Sequence, residues 1–190
     1  MTIAGDMLRL FGGSTAALVA LLLLRAALHK LADPARFGGV LADYELFPEG
    51  ALKPLRGFVP AFELAIAAML ALGVTQAAGA WAASGLMMAY GGAVAVNLTR
   101  GRTEIDCGCG SLPEPLSWGL VARNGLLSTM LLPAGLQLGS LRTPGEIGIG
   151  WAVALATLMC WVAIEQLLAN AARMRRDGDL WLASAFGGGR

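Results

Sequence analysis

Residues 77–98 run for some twenty positions without one charged side chain, and that is the feature a fold must accommodate first. A helix crossing the hydrocarbon core of a bilayer needs roughly 20 predominantly apolar residues. Four further stretches meet the same requirement with small impurities: 11–31, 58–74, 116–138 and 147–172. Only 14% of the 190 residues are charged, against about 25% in an ordinary globular domain. The expectation is an all-α integral membrane protein, a bundle of four to five transmembrane helices whose first partner is the lipid bilayer. The formal net charge of +1 offers no basic field for nucleic acid.

The stretch 11–31 is read as a span rather than a cleaved signal, because no clean small-x-small cleavage site precedes Arg25 and the run continues through "AALHKL". Only a few residues separate the second and third spans, which predicts an antiparallel hairpin. Between the first two spans, Pro34 is suited to a first helical turn. Phe37, Val40, Leu41 and Tyr44 follow at helical spacing, with Asp33, Arg36, Asp43 and Glu45 off the stripe. This predicts a short amphipathic helix at the membrane surface or plugging the bundle; an ordinary packed loop is the alternative. Residues 1–175 read as one membrane bundle and 176–190 as a short polar tail.

Charges inside apolar spans cost roughly 2.5–3.5 kcal/mol for an Arg at a helix centre, so they face the bundle interior or snorkel to an interface. Arg25, His29, Glu63, Arg123 and its neighbour Asn124 form a possible intramembrane polar cluster, in which Glu63 is expected to pair with Arg25 or Arg123. Such residues either pack as ion pairs or tune a redox or proton-handling site. Glu165, in the fifth span, reads as a helix–helix contact or a near-interface residue rather than a catalyst.

The stretch "GRTEIDCGCGSLPEP", residues 101–115, holds Cys107 and Cys109 either side of Gly108. Bridging needs Cα atoms within about 6.8 Å, which a bent Cys-Gly-Cys permits. So small a ring is strained and readily reduced, hence a candidate exchanger rather than a staple. Arg100 and Arg102 favour a reactive thiolate, whereas Glu104 and Asp106 oppose it. Cys160, mid-span in the fifth helix, is expected to be a small buried apolar residue. A soft-metal binding or transport protein for copper or mercury is the alternative. Two sulfurs are too few for a closed zinc site, so no metal site is assigned. A non-catalytic membrane scaffold is a further alternative. No cofactor motif is present, and nothing in the sequence supports a quinone site.

Three quoted pieces in fixed order carry a resemblance: "RAALHKLADPARF", "FVPAFELAIAAMLALG" and "NLTRGRTEIDCGCGS" followed by "WGLVARNGLL". Over about residues 15–170 the chain resembles the MauE family, within the DoxX-like redox-associated membrane proteins. The resemblance implies a polytopic inner-membrane accessory of methylamine utilisation. It would support maturation, processing or transport of the methylamine dehydrogenase small (β) subunit, alongside a thioredoxin-like partner. It also implies that Cys107 and Cys109 are the redox pair and that Arg102, Asp106, Arg123 and Asn124 are flanking polar positions, with Arg102 and Asp106 expected to tune the thiolate.

Five crossings would place Lys30, Arg36, Lys53, Arg56, Arg100, Arg102, Arg173, Arg175, Arg176 and Arg190 on one side and only Arg9 and Arg142 on the other. The positive-inside rule then puts the cysteine loop in the cytoplasm. The family role implies the periplasm, so the side of the loop stays undecided by sequence.

Overall fold

A computed structural model describes residues 3–108, 114–139, 141 and 143–186, with side chains described as far as residue 167 and at 170 and 174. All regular elements among the described residues are helices: α1 Ile3–Ala32, α2 Pro34–Asp43, α3 Glu49–Ala71, α4 Gln76–Thr99, α5 Trp118–Met130, α6 Leu132–Gly135 and α7 Pro144–Phe186. The chain divides into two units, Met1–Leu155 and Ala156–Arg190.

Among the described residues four helices are long and apolar enough to cross a membrane: α1, α3, α4 and the Pro144–Leu167 part of α7. The protein is a multi-pass membrane protein. The expected span 116–138 is not one continuous helix. It stops at Met130 after 13 residues, about 20 Å at 1.5 Å per residue, short of the roughly 30 Å hydrocarbon core. Pro133 has no N–H to continue the ladder, and a four-residue α6 follows. The charge tally above assumes a fifth crossing here, so it does not assign a side to the cysteine loop.

In the first unit, α1 packs chiefly on α3 and α4 on α5. The core is built from Ala16, Val19, Ala20 and Leu23 of α1, Ile66 and Leu70 of α3, Ala80, Ala83 and Met87 of α4, and Leu127 and Leu131. Small residues allow the close helix approach on which membrane bundles rely, since lipid removes the hydrophobic drive between helices. Gly12 makes a comparably close approach to the chain just after α6, because a Cβ there would lie 2.7 Å from the Gly139 Cα. Gly12→Ala is therefore expected to cost about 1–3 kcal/mol by overpacking, read as a lower midpoint of thermal unfolding in detergent. The α3–α4 turn closes as the Thr75 hydroxyl donates to the Met69 carbonyl at 2.9 Å, giving the antiparallel hairpin.

The segment after α1 folds as its pattern predicts. Pro34 occupies the first turn of α2, and the Asp33 carboxylate accepts from the Arg36 N–H at 2.9 Å. Phe37, Val40 and Tyr44 are buried, while Asp33, Arg36, Asp43 and Glu45 are exposed. That side-chain cap contributes about 1 kcal/mol, so Asp33→Ala should loosen α2 by that amount, measurable by amide exchange at Phe37.

In the second unit, Cys160 is exposed rather than buried. A side chain on a spanning helix can face lipid, so apolarity there does not require burial within the protein. Glu165 accepts from the Trp161 indole N–H at 2.7 Å, a contact along one helix face.

Candidate functional site

The described parts of the connection from α4 to α5, residues 100–108 and 114–117, are tied together by their own backbone. Gly101 takes φ +75 as the chain leaves α4, and Arg102 N–H returns to the Asn97 carbonyl at 3.0 Å. Cys107 N–H donates to the Glu114 carbonyl at 2.9 Å, and Leu116 N–H donates to those of Thr103 and Ile105 at 3.0 and 3.2 Å. An antiparallel bridge joins Asp106 to Pro115. The two limbs of the loop are thereby fastened together next to Cys107.

Asp106 pins this fold through both oxygens. Its Oδ1 accepts from the backbone N–H groups of Gly108 and Glu114, each at 3.2 Å. Its Oδ2 receives the Arg36 guanidinium of α2 at 2.7 Å. The geometry thus gives Asp106 a loop-fastening part. Arg102 reaches away from the thiol, to Glu45 at 2.9 Å and Asn97 at 3.5 Å. Asn97, fully buried, donates to the Tyr44 carbonyl at 3.2 Å, and the Tyr44 hydroxyl donates to the Cys107 carbonyl at 3.4 Å. The ties to α2 come from both its ends, Arg36 in the first turn and Tyr44 at the C-cap, so the amphipathic helix acts as a clamp on the cysteine loop.

Cys107 itself is buried in a small apolar cluster with Val40, Tyr44, Val94, Leu116 and Leu120. Its thiol points to Glu114, donating to Oε2 at 3.8 Å, and Arg123 Nη1 stands 3.9 Å from the same oxygen. Cys109 lies outside the described residues. Between the cysteines, Gly108 has φ +68, and a Cβ there would meet Val40 Cγ1 at 2.8 Å. Gly108→Ala should cost about 1–2 kcal/mol from the left-handed backbone alone, with further cost from pressing on α2. The expected readout is faster alkylation of Cys107 as the clamp loosens.

Beside the loop is a cleft of about 170 Å³ lined by His29, Lys30, Asp33, Arg36, Phe37 and Gly108 among others. His29 is exposed in this cleft. Beneath it the predicted polar cluster is rearranged. Glu63, fully buried, takes the Lys30 ammonium at 2.7 Å and the Tyr90 hydroxyl at 2.8 Å on one oxygen, Oε1. Its other oxygen has no hydrogen-bond partner among the described residues. The expected partners Arg25 and Arg123 are replaced by Lys30, because Lys30 continues the buried stripe of α1 through Ala16, Ala20, Leu23 and Ala27. Arg25 lies off that stripe and is half-buried. Arg123 belongs instead to the Glu114 end. Asn124 is buried and donates to the Leu120 carbonyl at 2.8 Å, within its own helix.

Sequence reasoning passed over Lys30, Tyr90 and Glu114. The buried stripe of α1 was a usable signal for Lys30. Glu114 carried none, because its position depends on the loop folding back on Cys107.

Three comparisons bear on this arrangement. The family model described as methylamine utilisation protein MauE matches residues 8–138. A protein of Methylorubrum extorquens named methylamine utilization protein MauE is 40% identical over 151 residues, covering 75% of this chain and 79% of the relative. Proteins of the same name from Paracoccus denitrificans and Paracoccus versutus are 38% and 40% identical, over 60% and 67% of this chain and 62% and 69% of theirs. No solved structure matches.

Proposed function

The chain belongs to the methylamine utilisation protein MauE family, and from that premise we propose that it is an inner-membrane thiol–disulfide accessory for the methylamine dehydrogenase small subunit. Membership makes it a methylamine utilisation accessory protein of the membrane. The finer reading is that Cys107 and Cys109 exchange with a thioredoxin-like partner. A thiolate of one pair attacks the disulfide of the other, a mixed disulfide forms, and the remaining thiolate resolves it. Two electrons and two protons pass between the pairs, and no further cofactor enters that exchange.

One observation carries the reading: Cys107 is held by α2 and the loop backbone next to a glycine in a left-handed conformation, directly before a second cysteine. A structural loop does not need that convergence of ties from Tyr44, Arg36 and Asp106 on one thiol-bearing turn. Arg102 and Asp106 support the site by holding the loop to α2. Arg25, His29, Glu63, Arg123 and Asn124 shape the polar end of the bundle around it.

The reading is tested with a thioredoxin-like partner whose resolving cysteine is replaced by Ser. The wild-type chain should trap it as a mixed disulfide that reductant releases. Chains carrying Cys107→Ser together with Cys109→Ser should trap none. Unchanged trapping by the double variant contradicts the proposal.

A further inference from the structure

Thiol exchange requires a thiolate, so a buried thiol must have somewhere to send its proton. Cys107 is only 8% exposed and sits among apolar side chains. Its S–H is directed at Glu114 Oε2, 3.8 Å away. The position is imposed by the backbone, since the Cys107 N–H binds the Glu114 carbonyl and the Glu114 N–H binds the Asp106 carboxylate. Glu114 is half-exposed and so can exchange a proton with solvent. Arg123, in the second turn of α5, approaches the same carboxylate oxygen at 3.9 Å.

We propose that Glu114 holds the Cys107 proton and keeps the resting thiol un-ionised, and that Arg123 is a positioning residue that offsets the Glu114 charge and so eases release of that proton. This rests on the exchange reading above. In the step, Cys107 first ionises, its proton leaving to solvent past the half-exposed Glu114 carboxylate, and the thiolate sulfur then attacks a disulfide sulfur. A new S–S bond forms, the old one breaks, and the displaced sulfur leaves as a thiolate. The signs follow from charge. An anionic carboxylate accepting from S–H favours the thiol over a thiolate beside it, whereas a guanidinium on the same oxygen offsets that charge. Neutralising Glu114 should therefore ease ionisation of Cys107, and neutralising Arg123 should hinder it. A residue that merely holds the loop would not produce opposite shifts.

The test uses the full chain in detergent with Cys109→Ser and Cys160→Ser, which leaves Cys107 as its one thiol. Alkylation by iodoacetamide is followed by mass spectrometry as a function of pH. Glu114→Gln should move the midpoint to lower pH and raise the neutral-pH rate roughly threefold to tenfold. Arg123→Gln should move it to higher pH. Glu114→Asp, which keeps the charge, should remain nearer the parent than Glu114→Gln, guarding against simple loss of the loop. An unmoved midpoint in Glu114→Gln, or shifts of one sign in both neutralising variants, overturns the proposal. Failure of the exchange reading is recognised separately: partner trapping would survive loss of both loop cysteines, whatever the alkylation profile shows.

Discussion

Replacing Glu63 with Ala is expected to lower stability by about 3–5 kcal/mol, the usual cost of removing one member of a buried ion pair. The physical reason is the charge left behind. Lys30 is only 7% exposed and its described ion-pair partner is Glu63. Its ammonium also lies 5.4 Å from the Phe37 ring centre and 5.7 Å from that of Tyr90, but cation–π attraction of about 0.5–2 kcal/mol cannot replace a carboxylate. The contact joins α1, α3 and α4 and reaches α2 through Phe37, so its loss should loosen the clamp as well as the bundle. Lys30→Ala should behave similarly, stranding Glu63. The double change Lys30→Met with Glu63→Gln removes both charges and keeps an oxygen for Tyr90, so it should recover much of the loss. Thermal unfolding in detergent distinguishes these cases. Single variants as stable as the parent would show that the pair contributes nothing.

Cys107→Ser is expected to have the largest effect on function. In cells dependent on methylamine, it should reduce accumulation of the mature dehydrogenase small subunit to the level of a strain lacking this chain. The protein itself should remain in the membrane at normal abundance. The substitution is nearly isosteric, and the Cys107 backbone bonds to Glu114 and Tyr44 do not involve the sulfur. Normal subunit accumulation with Cys107→Ser would favour a scaffold role, in which changes at Phe37 or Tyr44 matter and the thiol does not.

Much of this architecture is legible in the sequence because lipid imposes simple rules. The run without charge became α4, the short connection became a hairpin, and the stripe Phe37–Val40–Tyr44 became the buried face of α2. The break after Met130 was not read, because apolar content alone suggests a continuous span over 116–138. What sequence spacing could not supply is pairing across long separations. Lys30 meets Glu63, Arg36 meets Asp106, and Arg102 meets Glu45, each pair depending on how two elements pack. The cysteine motif was legible as chemistry. Its surroundings were not, because Glu114 reaches the thiol only after the loop has closed between Asp106 and Pro115.

The central claim is that the Cys107–Cys109 loop interconverts between dithiol and disulfide. Differential alkylation tests it most directly. The purified chain is oxidised, blocked with one maleimide, reduced, and labelled with a second maleimide of different mass. The account predicts that Cys107 and Cys109 acquire the second label together after reduction, while exposed Cys160 acquires the first. If Cys107 and Cys109 both take the first label after oxidation, or remain unmodified throughout, the loop does not carry exchangeable sulfur and the account is contradicted.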